Sequence, residues 1–215
     1  MSLLEFEKKY QDYLLNQYNE LHSLYNNIKL NAGISLKTND ITKAILLRMK
    51  AFYDTNYKIK KLLNKKYAPA AADFFVETIL FYLKLIFDKY KKQHKVFSER
   101  QIKRHRGYMR PDISIWDNDK VISIIECKTN LGWNRIKWEN DFIARELKLQ
   151  EDFPEANAFL LIMTSQNWPG IPKDNINLGN KYFILSKVWP TRITNENFEK
   201  NVLNPIEDLF RKLIY

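Results

Sequence analysis

Two apolar runs, Ile113 to Trp116 and Val121 to Cys127, flank the tetrapeptide Asp117-Asn118-Asp119-Lys120, and no other stretch restricts the fold as much. Alternating, largely β-branched residues on either side of a turn-forming cluster read as two antiparallel strands joined by a tight turn. Alternation puts Asp112, Ser114 and Trp116 on one face, and Ile113 and Ile115 on the other. With Trp116 paired to Val121, Asp112 is expected opposite Ile125 and beside Glu126, while Glu126 and Lys128 point the same way. Three charges are therefore framed by Ile and Val. An ionised group leaves water at a cost of several kcal/mol unless it is paired or bound to a metal, so this cluster requires a reason.

Outside the hairpin the apolar period changes. Tyr10, Tyr13, Leu14, Tyr18, Leu21, Leu24, Tyr25 and Ile28 recur at steps of three and four, which predicts a long amphipathic helix from Leu4 to Ile28. After Gly33, Asn39 or Asp40 is placed to cap a second helix reaching about Lys66, with Ile45, Leu46, Met49, Phe52 and Tyr53 inward. Pro69 suits the first turn of a third helix to about Lys92. Further strands are expected at Lys95–Ser98, Ala158–Thr164 and Tyr182–Val188, and helices at about Asn134–Phe153 and Asn197–Leu213. The order is three helices, three strands, helix, two strands, helix. It predicts an α/β protein in which residues 1–68 are a helical N-terminal extension and residues 69–215 one compact core.

At 215 residues, with 45% hydrophobic and 28% charged content, the chain is long enough to bury one core. Lys and Arg number 35 against 25 Asp and Glu, a net charge of +10 that favours an anionic partner such as nucleic acid or a membrane surface. Lys, Asn, Ile, Tyr and Phe are all plentiful, as AT-rich coding produces without selection for binding, so charge alone does not decide. Cys127 is the sole cysteine, which excludes intrachain disulfides and cysteine-bearing zinc sites, and His22, His94 and His105 are scattered. The start, MSLLEFEKKY, lacks the apolar core of a signal peptide. The run FFVETILFYLKLIF is broken by Glu77 and Lys84 and falls short of the ~20 residues of a membrane span. A cytoplasmic location without a membrane partner is expected. The patterns GxxxxGK[ST], GxGxxG and GxSxG are absent, which argues against nucleotide-binding loops and serine hydrolases.

Two neighbouring carboxylates repel each other, and a divalent cation between them turns repulsion into binding; hard oxygen ligands suit Mg²⁺. Lys128 would then steady an activated water or the charge on an attacked phosphate. The string Pro111-Asp112, thirteen residues, Glu126-Cys127-Lys128 resembles the PD-(D/E)xK motif of the restriction-endonuclease-like nuclease superfamily. The resemblance covers roughly Pro69 to Val188, because that family's core is a helix, a three-strand meander, a helix and another strand. It implies a restriction-endonuclease-like core, a central mixed sheet flanked by helices, and Mg²⁺-dependent phosphodiester hydrolysis. It also implies Asp112 and Glu126 as metal ligands, the Cys127 carbonyl as another, and Lys128 as the residue assisting the nucleophilic water. Glu77 matches a further acidic position in the helix before the meander; alternatively Asp73, Glu77, Lys84 and Asp88 form that helix's solvated stripe. The plain alternative for the hairpin is an edge ion pair between Glu126 and Lys128. Some helicase-linked exonucleases of the superfamily carry Gln-x-x-x-Tyr after the motif, whereas Gln150 here is followed four residues on by Pro154, which favours a standalone endonuclease.

Arg100, Lys103, Arg104, Arg106 and Arg110 crowd the loop leading to Asp112, where backbone phosphate contacts are expected, with a solvated loop as the alternative. Trp133, Arg135, Lys137 and Trp138 follow the motif and offer phosphate contact or stacking, although Trp138 also suits a core. Gln166, Asn167 and Lys173 sit in a loop suited to base contacts, and NYKIKKLLNKK reads as the wet face of the second helix. The reading is a Mg²⁺-dependent endonuclease of double-stranded DNA, in a restriction or other defence setting. A homodimer fits duplex cleavage, with the first helix packed on a second subunit or on helices two and three. The alternatives are a junction resolvase, a repair or RNA nuclease, and an inactive DNA-binding or interaction protein of the same fold.

Overall fold

The structure is a computed structural model that describes residues 2–31, 33–103, 108–131, 137–167, 171–172 and 174–215. Backbone packing divides it into two units, Met1–Ile34 and Ser35–Tyr215. The first is a single helix, α1 (Leu3–Asn31). Its start is held by a reciprocal cap: the Glu5 N–H donates to Ser2 Oγ and the Ser2 N–H to the Glu5 carboxylate. The periodic Tyr/Leu stripe is present, yet Leu3, Tyr13 and Tyr18 are exposed.

The second unit runs α2 (Asp40–Leu62), α3 (Ala72–Lys89), β1 (Lys95–Ser98), β2 (Ile113–Asp117), β3 (Lys120–Lys128), α4 (Trp138–Gln150), β4 (Asn157–Thr164) and β5 (Tyr182–Ser186). A 3-10 turn (Pro190–Arg192), α5 (Phe198–Asn201) and α6 (Ile206–Ile214) follow. The strands form one sheet in the order β1-β2-β3-β4-β5, antiparallel through β3 and parallel from β3 to β5. This is the expected α/β class, a mixed sheet flanked by helices. Residues of β4 and β5 are buried on both faces, the usual fate of parallel strands covered on two sides. Ile124 shares a core with Phe142 and Leu149 of α4, so alternation turns Glu126 and Lys128 toward the α4 face. Cys127 faces the opposite side, where α3 packs on β1 and β3.

Several boundaries differ from the sequence reading. Pro69 lies ahead of α3 and does not open it, and α2 ends at Leu62 rather than Lys66, with Asn64 in the left-handed region at φ 48°. The final helix is broken between Asn201 and Ile206, because Pro205 disfavours helical backbone at Asn204. The strand expected to reach Val188 stops at Ser186. Asn39 occupies the N-cap of α2 but its side chain makes no cap bond; Glu207 of α6 does this instead, accepting from the N–H groups of Ile41 and Thr42. That contact ties α6 to the start of α2 within the unit Ser35–Tyr215. Ile41, Ile45, Leu46 and Met49 line the buried face of α2.

Candidate active site

The turn between β2 and β3 is tight, with Asn118 at a left-handed φ of 52°, which Asn tolerates better than most residues. Trp116 pairs with Val121 as expected, but the register shifts between Ile115 and Trp116, so that Ile115 pairs with Ser123 and Ile113 with Ile125. The residue left over is Ile122, a one-residue bulge. Continuing that register puts Asp112 opposite Glu126 rather than opposite Ile125. The bulge therefore brings the two carboxylates one position closer than unbroken alternation would.

Asp112 Oδ2 accepts a hydrogen bond from the Cys127 N–H at 2.7 Å, which ties the start of β2 to the end of β3. Lys128 Nζ lies 3.4 Å from the same oxygen and 3.6 Å from Glu126 Oε2. One ammonium thus sits between two carboxylates. Glu126 is 3% exposed, and Arg145 of α4 donates to its Oε2 at 2.7 Å. Glu126 Oε1 is buried with no hydrogen-bond partner among the described residues. Burial pushes the Glu126 carboxyl above its ordinary range; Arg145 pulls it back, Asp112 raises it further and Lys128 lowers it. The Cys127 thiol is buried, and burial raises its pKa well above the usual value, which disfavours the thiolate.

Two cavities meet at Lys128. A cleft of about 530 Å³ lies on the α3 side, lined by Asp73, Glu77, Glu99, Asp112, Cys127 and Lys128 among others. A smaller cavity of about 180 Å³ on the α4 side is lined by Glu126, Lys128, Asn130, Trp138 and Arg145 among others. Glu77 projects into the larger cleft and makes no hydrogen bond or ion pair among the described residues. It also belongs to the solvated stripe: Asp73, Glu77, Lys84 and Asp88 are exposed on a helix otherwise buried along most of its length. Both descriptions hold, because the first turns of that stripe open into the cleft.

Among the described residues no group of three or more His, Cys, Asp and Glu side chains is gathered closely enough to hold a metal ion. Mg²⁺ does not need such a cage; it keeps several waters and is commonly bound by one or two carboxylates together with substrate oxygens. Asp112 and Glu126 supply hard oxygens. The unpartnered Glu126 Oε1 is a buried acceptor whose isolation costs roughly 1–3 kcal/mol, a deficit that a cation removes. The donor set fits Mg²⁺.

The surrounding candidates separate. Arg100 is stacked on Trp116 at 3.9 Å and on Phe97 at 4.3 Å. Lys103 pairs with Asp152. Arg110 is exposed just ahead of Pro111 and Asp112 and is without an ion-pair partner among the described residues. Arg104, Arg106, Trp133, Arg135 and Lys173 lie outside the described residues. Trp138 packs edge-on to Tyr182 at 4.9 Å while lining the smaller cavity. Gln166 Oε1 accepts from the Trp189 N–H, so this acceptor is committed to the fold. Arg145 and Asn130 were not anticipated. Arg145 was legible in principle, as a cation three residues after Phe142 and four before Leu149 on the buried face of α4.

No protein-family model matches the chain, and no curated protein does. Among solved structures, a chain of the native BbvCI A2B2 tetramer is similar to it at 12% identity, with 89% of this chain and 93% of that chain covered and a TM-score of 0.31.

Proposed function

We propose that the chain is a Mg²⁺-dependent nuclease of the PD-(D/E)xK kind that hydrolyses phosphodiester bonds of double-stranded DNA. The observation that carries this reading is the shared ammonium of Lys128 between Asp112 and Glu126, together with the buried Glu126 oxygen that no donor among the described residues reaches. An edge ion pair of Glu126 with Lys128 alone leaves that oxygen unexplained. Asp112 and Glu126, with the Cys127 carbonyl, would hold the ion, which supplies positive charge to polarise the scissile phosphate and acidify water. Lys128 Nζ, which is part-exposed, steadies the negative charge that develops on the attacking water and the phosphate oxygens. Arg145 holds Glu126 through Oε2 and leaves Oε1 for the ion. A restriction or other defence setting is the biological context proposed.

The direct test incubates purified protein with plasmid DNA, linear duplex and RNA, in Mg²⁺ and in EDTA. Cleavage of duplex DNA in Mg²⁺ alone is expected; no cleavage of any substrate would leave an inert fold. One observation favours that second reading, since Arg145 already neutralises Glu126 and so permits a purely structural ion pair.

Glu77→Gln should leave the fold intact, because the side chain is exposed, and should lower activity severalfold at limiting Mg²⁺ while saturating Mg²⁺ restores it. Wild-type metal dependence in this variant places Glu77 in the solvated stripe only. A homodimer is the assembly proposed, since cutting two strands requires two sites. Light scattering of the DNA complex, with the mass of the duplex subtracted, should return twice the 25.8 kDa chain mass, and one chain per complex under all conditions removes the dimer.

A further inference from the structure

We infer that the end of α2 and the connection to α3, residues 57–67, form a landing surface for the phosphate backbone of nucleic acid beside the Asp112–Lys128 cleft. The inference rests on the nuclease reading for its choice of partner. From Thr55 to Ala72 the chain has no acidic residue, and within it stand Lys58, Lys60, Lys61, Lys65 and Lys66. None of these ammonium groups pairs with a carboxylate among the described residues. One turn earlier, by contrast, Lys50 lies 3.6 Å from Asp54. Unscreened like charges raise the local potential, which an arriving polyanion lowers.

By sequence this stretch reads as the wet face of the second helix rather than as a binding site. The structure leaves it wet on more than one side: the fully buried positions of α2 end at Met49, Phe52 and Tyr53 pack half-buried against Phe74 and Trp189, and beyond them Tyr57 to Leu62 stand largely in solvent. Leu62 is 82% exposed and Tyr67 70%, so apolar and aromatic groups stand in solvent alongside the lysines. Lys61 Nζ lies 4.7 Å from the Tyr57 ring centre and Lys66 Nζ 5.2 Å from that of Tyr67. Cations near a helix C-terminus complement its dipole, which accounts for Lys60 and Lys61. It does not account for Lys65 and Lys66, which lie past the helix end.

Location selects the partner. Ala72, Asp73, Val76 and Glu77, the first turns of α3, line the same cleft as Asp112 and Lys128. Lys66 precedes Ala72 by six residues, and a fully extended chain spans at most ~3.6 Å per residue, so Lys66 lies within about 22 Å of the cleft wall. Duplex DNA carries a phosphate every ~3.4 Å along each strand, so a backbone seated in the cleft passes several phosphates over that distance. Exposed Tyr57 and Tyr67 add rings on which unpaired bases stack. An anionic bilayer would meet the same charges, with Ile59, Leu62 and Leu63 as its apolar contacts, but it would not call for the surface to adjoin the cleft.

The test measures anisotropy of a fluorescein-labelled DNA duplex across a salt series in EDTA, so that binding is read without hydrolysis. The variant K61A/K65A/K66A is expected to bind at least about tenfold more weakly near 0.1 M salt, with the slope of log K against log salt shallower by about two to three units, the same for unrelated sequences. A control variant, K84A/K89A, at the middle and far end of α3, should bind as wild type does. Unchanged affinity and slope in the triple variant overturn the inference. So does pelleting of wild type, but not of the triple variant, with phosphatidylserine vesicles while duplex binding is unaffected. The two readings fail separately: loss of binding in the triple variant with no Mg²⁺-dependent cleavage by wild type sinks the nuclease and keeps the surface, and cleavage with an unchanged slope sinks the surface alone.

Discussion

Asp112→Asn and Lys128→Ala are each expected to lower Mg²⁺-dependent DNA cleavage by about 100-fold to 10,000-fold while leaving a folded protein that still binds DNA. The magnitude follows from what is removed: charge held where negative charge develops is worth roughly 10²–10³ in rate, and assisted proton transfer roughly 10²–10⁴. Asn keeps the shape of Asp112 and retains an oxygen to accept from the Cys127 N–H, so the tie between β2 and β3 survives. Lys128 is 40% exposed, and its loss should alter stability by less than about 1 kcal/mol. Asp112→Asn should also tighten metal-free DNA binding, because it removes a negative charge from beside the phosphate. Burial holds the Glu126 carboxyl above the usual range, so a proton competes with the cation there. At limiting Mg²⁺ the acid limb of the pH–rate profile should accordingly lie above the pH at which an ordinary carboxylate titrates, and it should move down as Mg²⁺ is raised. Wild-type cleavage by either variant would end the nuclease assignment, since the described residues offer no other such carboxylate pair with a shared lysine.

The largest effect on stability is expected at Glu207. This carboxylate is 1% exposed and accepts from Ile41 N at 2.7 Å, Thr42 N at 3.0 Å and Thr42 Oγ1 at 2.5 Å. Thr42 Oγ1 in turn accepts from the Ile206 N–H at 2.8 Å, so the first turns of α2 and α6 satisfy each other. A helix start has unpaired N–H groups that favour negative charge, and here a distant residue meets them. Glu207→Ala strands buried donors at about 1–3 kcal/mol each, a loss of about 3 kcal/mol or more. At about 2–4 °C per kcal/mol for a domain of this size, the melting temperature should fall by roughly 6–12 °C. Burial raises the Glu207 pKa, with the hydrogen bonds from Thr42 and Ile41 working against it. A carboxyl whose folded pKa exceeds its unfolded value stabilises fully below the unfolded value, about 4.3, and less as pH rises through the folded one. The stability of wild type relative to Glu207→Gln should therefore decline with rising pH across the acid range. Urea unfolding at several pH values reads both effects. An Ala variant within about 0.5 kcal/mol of wild type would remove the capping role, and a Gln difference that grows with pH would overturn the raised pKa.

What local sequence determined is what local physics controls. Alternation of β-branched residues and the turn chemistry of Asp117 to Lys120 specified β2, β3 and the common face of Glu126 and Lys128, because side-chain direction in a strand has a period of two residues wherever the strand pairs. Helical periodicity likewise placed α1 to α3, although α2 stops at Leu62 and α3 starts at Ala72, several residues inside the expected limits. Tertiary structure decided the rest. The bulge at Ile122 moved Asp112 from opposite Ile125 to opposite Glu126, and nothing in the spacing of the hairpin announces which strand will carry an extra residue. Arg145 reached Glu126 only because α4 folds back over the sheet, and Glu207 capped α2 only because α6 returns to it. Such contacts close long loops, and their free energy depends on how the whole core packs rather than on the residues near either end. The sequence therefore carried the identity of the charged groups and the faces they occupy, and packing decided which of them meet.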